Sequence, residues 1–249
     1  AAGSTIDIGT TSADGASASS LKVSASSFTL NRNIVVQSAA GSRTLDTANS
    51  ANTLTFSGTM TLNKSLTVHI GNGSAGVDAE FSGVVSGSGS MTKSGAGTLI
   101  VSAANSYSGD TAISEGTLRL ANANDRLSDD TLINVSSGAT FDMNDFYDKV
   151  KGLSGAGSVM LGSVAVDRLR LGGDHADRTF FGVISGSGNV IKEGSGIWTL
   201  SGANTFSGDM KIEAGTLRLA ANDRLSDDTR VDVSGGATFD LNEFYDKVK

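Results

Sequence analysis

Two clusters of aspartates are the residues best suited to chemistry in this chain. They are Asp125, Asp129 and Asp130, followed 98 positions later by Asp223, Asp227 and Asp228. Carboxylate oxygens are the ligands that Ca²⁺ prefers, so each cluster is a candidate for a weak calcium loop. The EF-hand spacing and the Gly-Gly-x-Gly-x-Asp nonapeptide of calcium-binding repeats are both absent. We therefore favour solvated loops whose charge is offset by Arg126 and Arg224, and we expect no metal and no cofactor.

A second candidate site is aromatic. Phe146-Tyr147 and Phe244-Tyr245 are each followed by Asp-Lys-Val-Lys. If the two copies lie on one side of a rod, Tyr147 and Tyr245 form a strip on which a surface glycan or a partner protein stacks. The alternative, which we favour, is a loop whose Phe packs on the core while its Tyr lies at the rim.

The sequence offers few arrangements of residues that could catalyse a reaction. The two histidines, His69 and His175, lie in unrelated contexts, and no Gly-x-Ser-x-Gly stands at a strand-to-helix elbow. Because the chain has no Cys, it offers no thiol nucleophile, disulfide or zinc finger. We expect no catalytic residue and a protein that is not an enzyme.

Composition narrows the class further. The net charge is −7 and no basic cluster occurs, which argues against nucleic acid as a partner. No apolar run approaches the roughly 18 residues of a membrane helix. The chain has 32 Gly and no Pro, yet Leu and β-branched residues recur in short alternating runs. That alternation indicates many short strands joined by tight corners, and it argues against disorder.

An internal repeat organises the chain. The stretch from Phe81 to Gly89 returns as Phe180 to Gly188, an offset of 99, and Asp125–Thr131 returns unchanged as Asp223–Thr229. We therefore divide the chain into an N-terminal cap with divergent coils (1–79), a full repeat unit (80–178) and a truncated second unit (179–249). Long repeats of this kind favour a solenoid, in which each coil covers its neighbour.

The strands themselves follow from period-2 patterning. In Thr117-Leu-Arg-Leu120, the two leucines share one face and Thr117 and Arg119 the other. With roughly 20 residues per coil, the sequence predicts an all-β parallel solenoid of about twelve coils, about five of them in the full repeat unit, and a rod of roughly 60 Å. Asn105 and Asn204 precede aromatic-Ser-Gly corners, where Asn tolerates the left-handed region and bonds neighbouring backbone.

These patterns resemble a known family. The run from Gly87 to Leu99 (Gly-Ser-Gly-Ser-Met-Thr-Lys-Ser-Gly-Ala-Gly-Thr-Leu), Asn105 to Ile113 and Glu115 to Leu120 is similar to the passenger-associated transport repeat of bacterial autotransporters, and Gly186 to Leu219 repeats it. The resemblance, clear over 80–249, implies a right-handed parallel β-helix in the passenger of a type V secreted protein. It also implies a cell-surface or extracellular location after export across the outer membrane. Membrane attachment is then expected only through a translocator that is not present in this chain.

Two functions remain open. One is a non-catalytic stalk, spacer or fibre segment, and the other is an adhesin that binds glycan or a host surface along the rod. A polysaccharide-degrading enzyme fits poorly, because the two aspartate clusters are expected about five coils, or ~24 Å, apart. Since Lys249 falls inside a repeat, we expect the native chain to continue. End-to-end stacking with other copies into a fibre is the alternative.

Overall fold

The computed structural model describes residues 5–9, 18–23, 28–47, 53–71 and 79–249. Over these residues the chain forms twenty-eight short strands and no helix, and every strand pairing is parallel. The predicted all-β parallel β-helix is confirmed. The described residues contain no helix that is long and apolar enough to cross a membrane. Most of the first twenty residues, expected to belong to an N-terminal cap, lie outside the described ranges.

The solenoid has three faces, which the chain visits in the order I, II, III. Face I holds a four-stranded sheet, β1 (Ile6–Ile8), β4 (Ile34–Val36), β7 (Met60–Leu62) and β10 (Val85–Gly87). Further along, a five-stranded sheet takes the same place in the turn, with β17 (Asp148–Val150), β20 (Asp167–Leu171), β23 (Asn189–Lys192), β25 (Met210–Ile212) and β27 (Val231–Val233).

Face II is the longest, with eleven stacked strands. They are β2 (Ser19–Val23), β5 (Arg43–Thr47), β8 (Leu66–Ile70), β11 (Met91–Ser94), β13 (Thr111–Ile113), β15 (Leu132–Val135), β18 (Gly152–Gly155), β21 (Arg178–Phe180), β24 (Ile197–Leu200), β26 (Thr216–Leu219) and β28 (Thr238–Asp240). The described coils are thus slightly fewer than the twelve expected, a small difference in detail.

Face III carries eight strands. They are β3 (Phe28–Leu30), β6 (Leu54–Phe56), β9 (Ala79–Phe81), β12 (Thr98–Val101), β14 (Thr117–Leu120), β16 (Thr140–Asp142), β19 (Ser158–Met160) and β22 (Val183–Ser185). Where a face lacks a strand, a loop crosses it, as residues 121–131 do between β14 and β15.

The core is a set of side-chain columns that run along the rod axis. Because parallel strands pair in register, each inward side chain stacks on its counterpart in the next coil. Leu118 is aligned with Leu99 on one side and Phe141 on the other, and all three are fully buried. The rings of Phe56 and Phe81 meet edge to face, with centroids 5.5 Å apart. The inward positions predicted from alternation are confirmed for Leu118 and its neighbours.

The repeat does not contain a whole number of turns. β9 and β19 lie on face III four turns apart, and β21, the equivalent of β9, follows two faces later on face II. The 99-residue unit therefore spans about four and two-thirds turns, where the sequence suggested about five. Equivalent strands of the two copies consequently lie on different faces, as β12 on face III and β24 on face II show.

Placing a charge in the core columns tests this arrangement. We expect Leu118→Asp to lower the free energy of unfolding by about 3 kcal/mol or more, because an unpaired carboxylate would enter an apolar column. Chemical denaturation followed by circular dichroism measures the change. Ile100→Thr, an outward position at which the second copy already has Thr199, should change stability by less than about 0.5 kcal/mol. Equal losses in the two variants would contradict the assignment of faces.

Candidate functional site

Each repeat buries one lysine at a corner of the rod. Lys93 stands in a core column of face II, between Val68 and Ile113, and is fully buried. Its Nζ donates hydrogen bonds to three backbone carbonyls, at 3.0 Å to Ser94, 2.7 Å to Gly95 and 3.1 Å to Glu115. An ammonium group has three N–H donors, so all of them find an acceptor.

The second copy builds the same cap on another face. Lys192 lies between Leu171 and Ile212 in a column of face I, and its Nζ donates to the carbonyls of Glu193, Gly194 and Ala214 at 2.7, 2.8 and 3.2 Å. Burial lowers the pKa of Lys192, against the opposing effect of nearby carboxylates. These lysines hold carbonyls that the turning chain leaves without ladder partners.

Glycine is required beside each of these caps. Gly95 has a φ of +75°, and a Cβ there would lie 2.1 Å from the carbonyl oxygen of Ile70. Gly194 has a φ of +71°, and a Cβ would lie 1.8 Å from the carbonyl oxygen of Gly172. Both the left-handed backbone and the close approach of the preceding coil exclude a larger residue.

Asn105 and Asn204 link three successive coils. Asn105 Oδ1 accepts from the Val85 amide at 2.8 Å, and its Nδ2 donates to the carbonyl of Arg126 at 2.8 Å. Asn204 makes the same contacts with the Ile184 amide at 2.9 Å and the Arg224 carbonyl at 2.8 Å. The predicted bonding to backbone is confirmed. Neither residue adopts a positive φ, although Asn tolerates one.

The aspartate clusters lie on exposed loops, and three of their six carboxylates pair with lysines of the next segment. Asp129 lies 4.0 Å from Lys149 Nζ. In the second copy, Asp227 and Asp228 lie 2.9 and 3.5 Å from the Nζ atoms of Lys247 and Lys249. Asp125, Asp130 and Asp223 are exposed, and Asp125 and Asp223 adopt a positive φ. Within the described ranges, no three His, Cys, Asp or Glu side chains come together as metal ligands would.

The two arginines that were expected to offset the aspartate charge bond backbone carbonyls instead. Arg126 Nη1 donates to the Ser102 carbonyl at 2.9 Å, and its Nη2 to the Asn124 carbonyl at 2.7 Å. Arg224 contacts the Ser201 and Asn222 carbonyls in the same way. These guanidinium groups brace the loop backbone, because carbonyls of the turning chain are the nearest acceptors. Lysines, and not Arg126 and Arg224 as predicted, therefore offset the charge of the paired aspartates.

The two tyrosines lie at different corners of the rod. Tyr147 is half-buried between faces III and I, whereas Tyr245 follows a strand of face II and is 62% exposed. A single strip along one side, as the sequence suggested, does not form. Phe146 packs against the core, as its loop interpretation predicts.

Charged side chains form a continuous network on face I. Arg170 bonds both Glu193, at 3.0 Å, and Glu213, at 2.5 Å, and Lys149 bonds Glu193 at 2.9 Å. Ile191 points outward on this face, at the ladder position next to Arg170, yet is only 1% exposed. Two cations in adjacent coils, Lys149 and Arg170, thus bond two carboxylates of the following coils and cross-link the stack. Their long side chains lie on the face where Ile191 is covered.

Each histidine contacts a serine of the next coil. His69 Nδ1 lies 3.2 Å from Ser94 Oγ, and His175 Nδ1 lies 3.1 Å from Ser195 Oγ. Both imidazoles are exposed, and no carboxylate of the described residues bonds to either ring. A nucleophile–base pair also needs a group that orients the base, so these contacts join coils without forming a triad.

Some recurring polar residues were not singled out from the sequence. They are the buried lysines, the buried carboxylate of Asp148 and its half-buried counterpart Asp246. The signal available in the sequence was the alternation along each strand, because Lys93 and Asp148 occupy positions whose side chains point inward. Charged residues at inward positions are normally a reason to reject a strand, and only the corner geometry explains them here.

The comparisons with known proteins agree with this architecture. The model of the passenger-associated transport repeat matches residues 91–120 and 190–219, which contain the two lysine caps. Over 141 residues the chain is 36% identical to the Adhesin BmaC autotransporter of Brucella suis, covering 55% of this chain and 4% of that protein. The chain therefore spans a small part of that relative. No solved structure matches. The resemblance to autotransporter passengers with such repeats is confirmed.

Removing a lysine cap should destabilise the rod. We expect Lys93→Met to lower the free energy of unfolding by about 2–4 kcal/mol, because three carbonyls lose their donor in a dry corner. Denaturant unfolding measures this. Lys247→Met, at a lysine whose side chain is 78% exposed, is the matched control and should leave the free energy of unfolding nearly unchanged. A wild-type-like Lys93→Met would show that the cap contributes nothing.

Chelation tests the aspartate loops. We expect EDTA to leave the melting temperature of the chain unchanged, since the aspartates of the described loops are not gathered into a set of metal ligands. Differential scanning calorimetry with and without added CaCl₂ makes the comparison. A drop on chelation that Asp129→Asn and Asp130→Asn abolish would establish a calcium loop instead.

Proposed function

We propose that this chain, which carries two passenger-associated transport repeats, is a non-catalytic spacer in the passenger of an autotransporter, at the bacterial surface or in secreted form. The observation that carries the proposal is that the recurring polar side chains bond backbone groups of the rod itself. Lys93 and Asn105, and their counterparts in the second copy, bond the backbone of their own or adjacent coils. Side chains used in this way hold a rod together and are not available to a substrate.

The face I network supports the same function. Arg170 reaches carboxylates one and two coils away, at Glu193 and Glu213, and Lys211 reaches back to Asp167 at 2.7 Å. Charge pairs between successive coils resist bending and shear of the stack, because each coil is tied to more than its nearest neighbour. A rod braced in this manner is suited to holding other parts of a protein at a distance.

Adhesion is the second candidate function. The similar Brucella suis protein is described as an adhesin, and Tyr245 presents an aromatic ring that is 62% exposed. Aromatic faces stack on sugars, so a glycan is the ligand class that this corner suits. Because Tyr147 and Tyr245 lie at different corners, any such binding would occur at separate, independent sites.

An in-register deletion tests the spacer function. Removing residues 80–178 joins Ala79 to Thr179, so that the second repeat takes the place of the first. In a passenger that contains this chain, we expect export to continue, and the rod to shorten by about 22 Å at ~4.8 Å per turn. Small-angle scattering of the released passenger measures the length.

Deleting residues 90–178 joins the coils out of register and is the control that should unfold. Loss of a binding activity with retained folding would favour adhesion.

A glycan array separates the two functions directly. We expect the chain to show no reproducible binding, as a spacer would. Hits that weaken in Tyr245→Ala and in Tyr147→Ala separately, and vanish in the double variant, would establish two independent adhesive corners. Circular dichroism of each variant checks that the solenoid is intact.

A further inference from the structure

A buried carboxylate clamps the loop that crosses from β14 to β15. Asp148, at the start of β17, is 0% exposed, and its Oδ2 accepts from the amides of Arg126 at 2.8 Å and Leu127 at 3.0 Å. Asp246 Oδ2 accepts from the amides of Arg224 and Leu225 at 2.7 and 2.9 Å. The clamp is therefore built twice, once in each repeat.

The second oxygen of this clamp is the unusual feature. Oδ1 of Asp148 is buried and has no hydrogen-bond partner among the described residues, and the same holds for Asp246. A carboxylate that is ionised inside a protein is normally paired with a cation or with donors on both oxygens. A neutral carboxyl group is therefore favoured in the closed loop.

The surroundings of Asp148 reinforce this preference. Asp125 and Asp129, in the loop, add negative charge near Asp148. Tyr107, in the coil that precedes the loop, also lies close. Burial is the main cause that raises the pKa of the Tyr107 hydroxyl, and the charge of Asp148 raises it further. In the next coil the ladder neighbour is the apolar Leu169. The guanidinium of Arg126 is committed to the carbonyls of Ser102 and Asn124.

Lys149, although adjacent in sequence, points outward, where it bonds Glu193 at 2.9 Å and lies 4.0 Å from Asp129. We propose that the loop of residues 121–131 is a pH-responsive latch, closed when Asp148 is neutral and opening as its carboxyl group ionises. Opening lets the ionised group reach water. It also uncovers Leu127, which is 3% exposed in the closed loop, and releases the Arg126 carbonyl from Asn105. This inference does not depend on whether the rod is a spacer or an adhesin.

The direction of the effect follows from linkage. Burial raises the pKa of Asp148 to about 7, with the loop amides acting in the opposite sense. A carboxyl group whose pKa is raised by folding holds more protons when the loop is closed than when it is open. Closure is therefore tightest and constant below about pH 4, the ordinary pKa of an exposed Asp, weakens as pH rises from there to 7, and stays constant above that.

Amide hydrogen exchange of the full chain tests the latch. After correction for intrinsic exchange rates, we expect the protection of the Arg126 and Leu127 amides to fall by up to about tenfold per pH unit between pH 5 and 7, as one-proton linkage requires. Above the titration the protection should level off. Asp148→Asn keeps an acceptor but does not titrate, so its profile should be flat. Asp246→Asn is the matched control and should leave the profile of these two amides unchanged.

Two outcomes would overturn the proposal. One is a flat profile in the wild-type chain, and the other is the wild-type slope persisting in Asp148→Asn. If Asp148→Asn fails to fold, the side-chain carbon resonance of Asp148 in the wild-type chain decides. Titration near pH 7 supports the latch, and titration near pH 4 rejects it.

Discussion

The corner of the coil is the constraint on which the rest of this structure depends. Along each face, backbone groups bond to the strands above and below, but at a corner the chain turns out of the ladder and leaves carbonyls inside a dry rod. Lys93 meets this need with three donors, and Asn105 with donors and an acceptor together. Charged and polar residues thus stabilise this fold from its interior.

The sequence predicted the parts that depend on local alternation. Leu118 and Leu120 are buried as their spacing required, and the two repeats fold alike. It could not predict the rotation between repeats, because turn length varies: β24 and β26 begin 19 residues apart, whereas β18 and β21 begin 26 apart. Nor could it predict the clamp at Asp148, because that depends on which loop amides the next coil meets.

One difference between the repeats shows how the interior tolerates change. In the first copy, the hydroxyl of buried Tyr107 meets Thr111 Oγ1 at 2.5 Å, and Thr111 meets Thr131 at 3.1 Å. The second copy has Phe206 and Met210 at the equivalent positions, both fully buried. A closed polar network and an apolar pair therefore fill the same site. Replacing Thr111 alone by Met would leave the buried Tyr107 hydroxyl without its partner, so Met at this position is compatible with Phe, and not with Tyr, beside it.

The fractional turn count also bears on what a passenger of this kind can display. Since each repeat advances by about four and two-thirds turns, a given corner motif appears one face earlier in the order I, II, III in the next copy. Three repeats would bring a motif back to its starting face. Side chains at recurring positions, such as Tyr147 and Tyr245, therefore point in different directions and cannot line one extended binding groove. Interactions between neighbouring coils do not depend on the direction a face points, and for this reason the repeat preserves the lysine caps and the asparagine links in both copies.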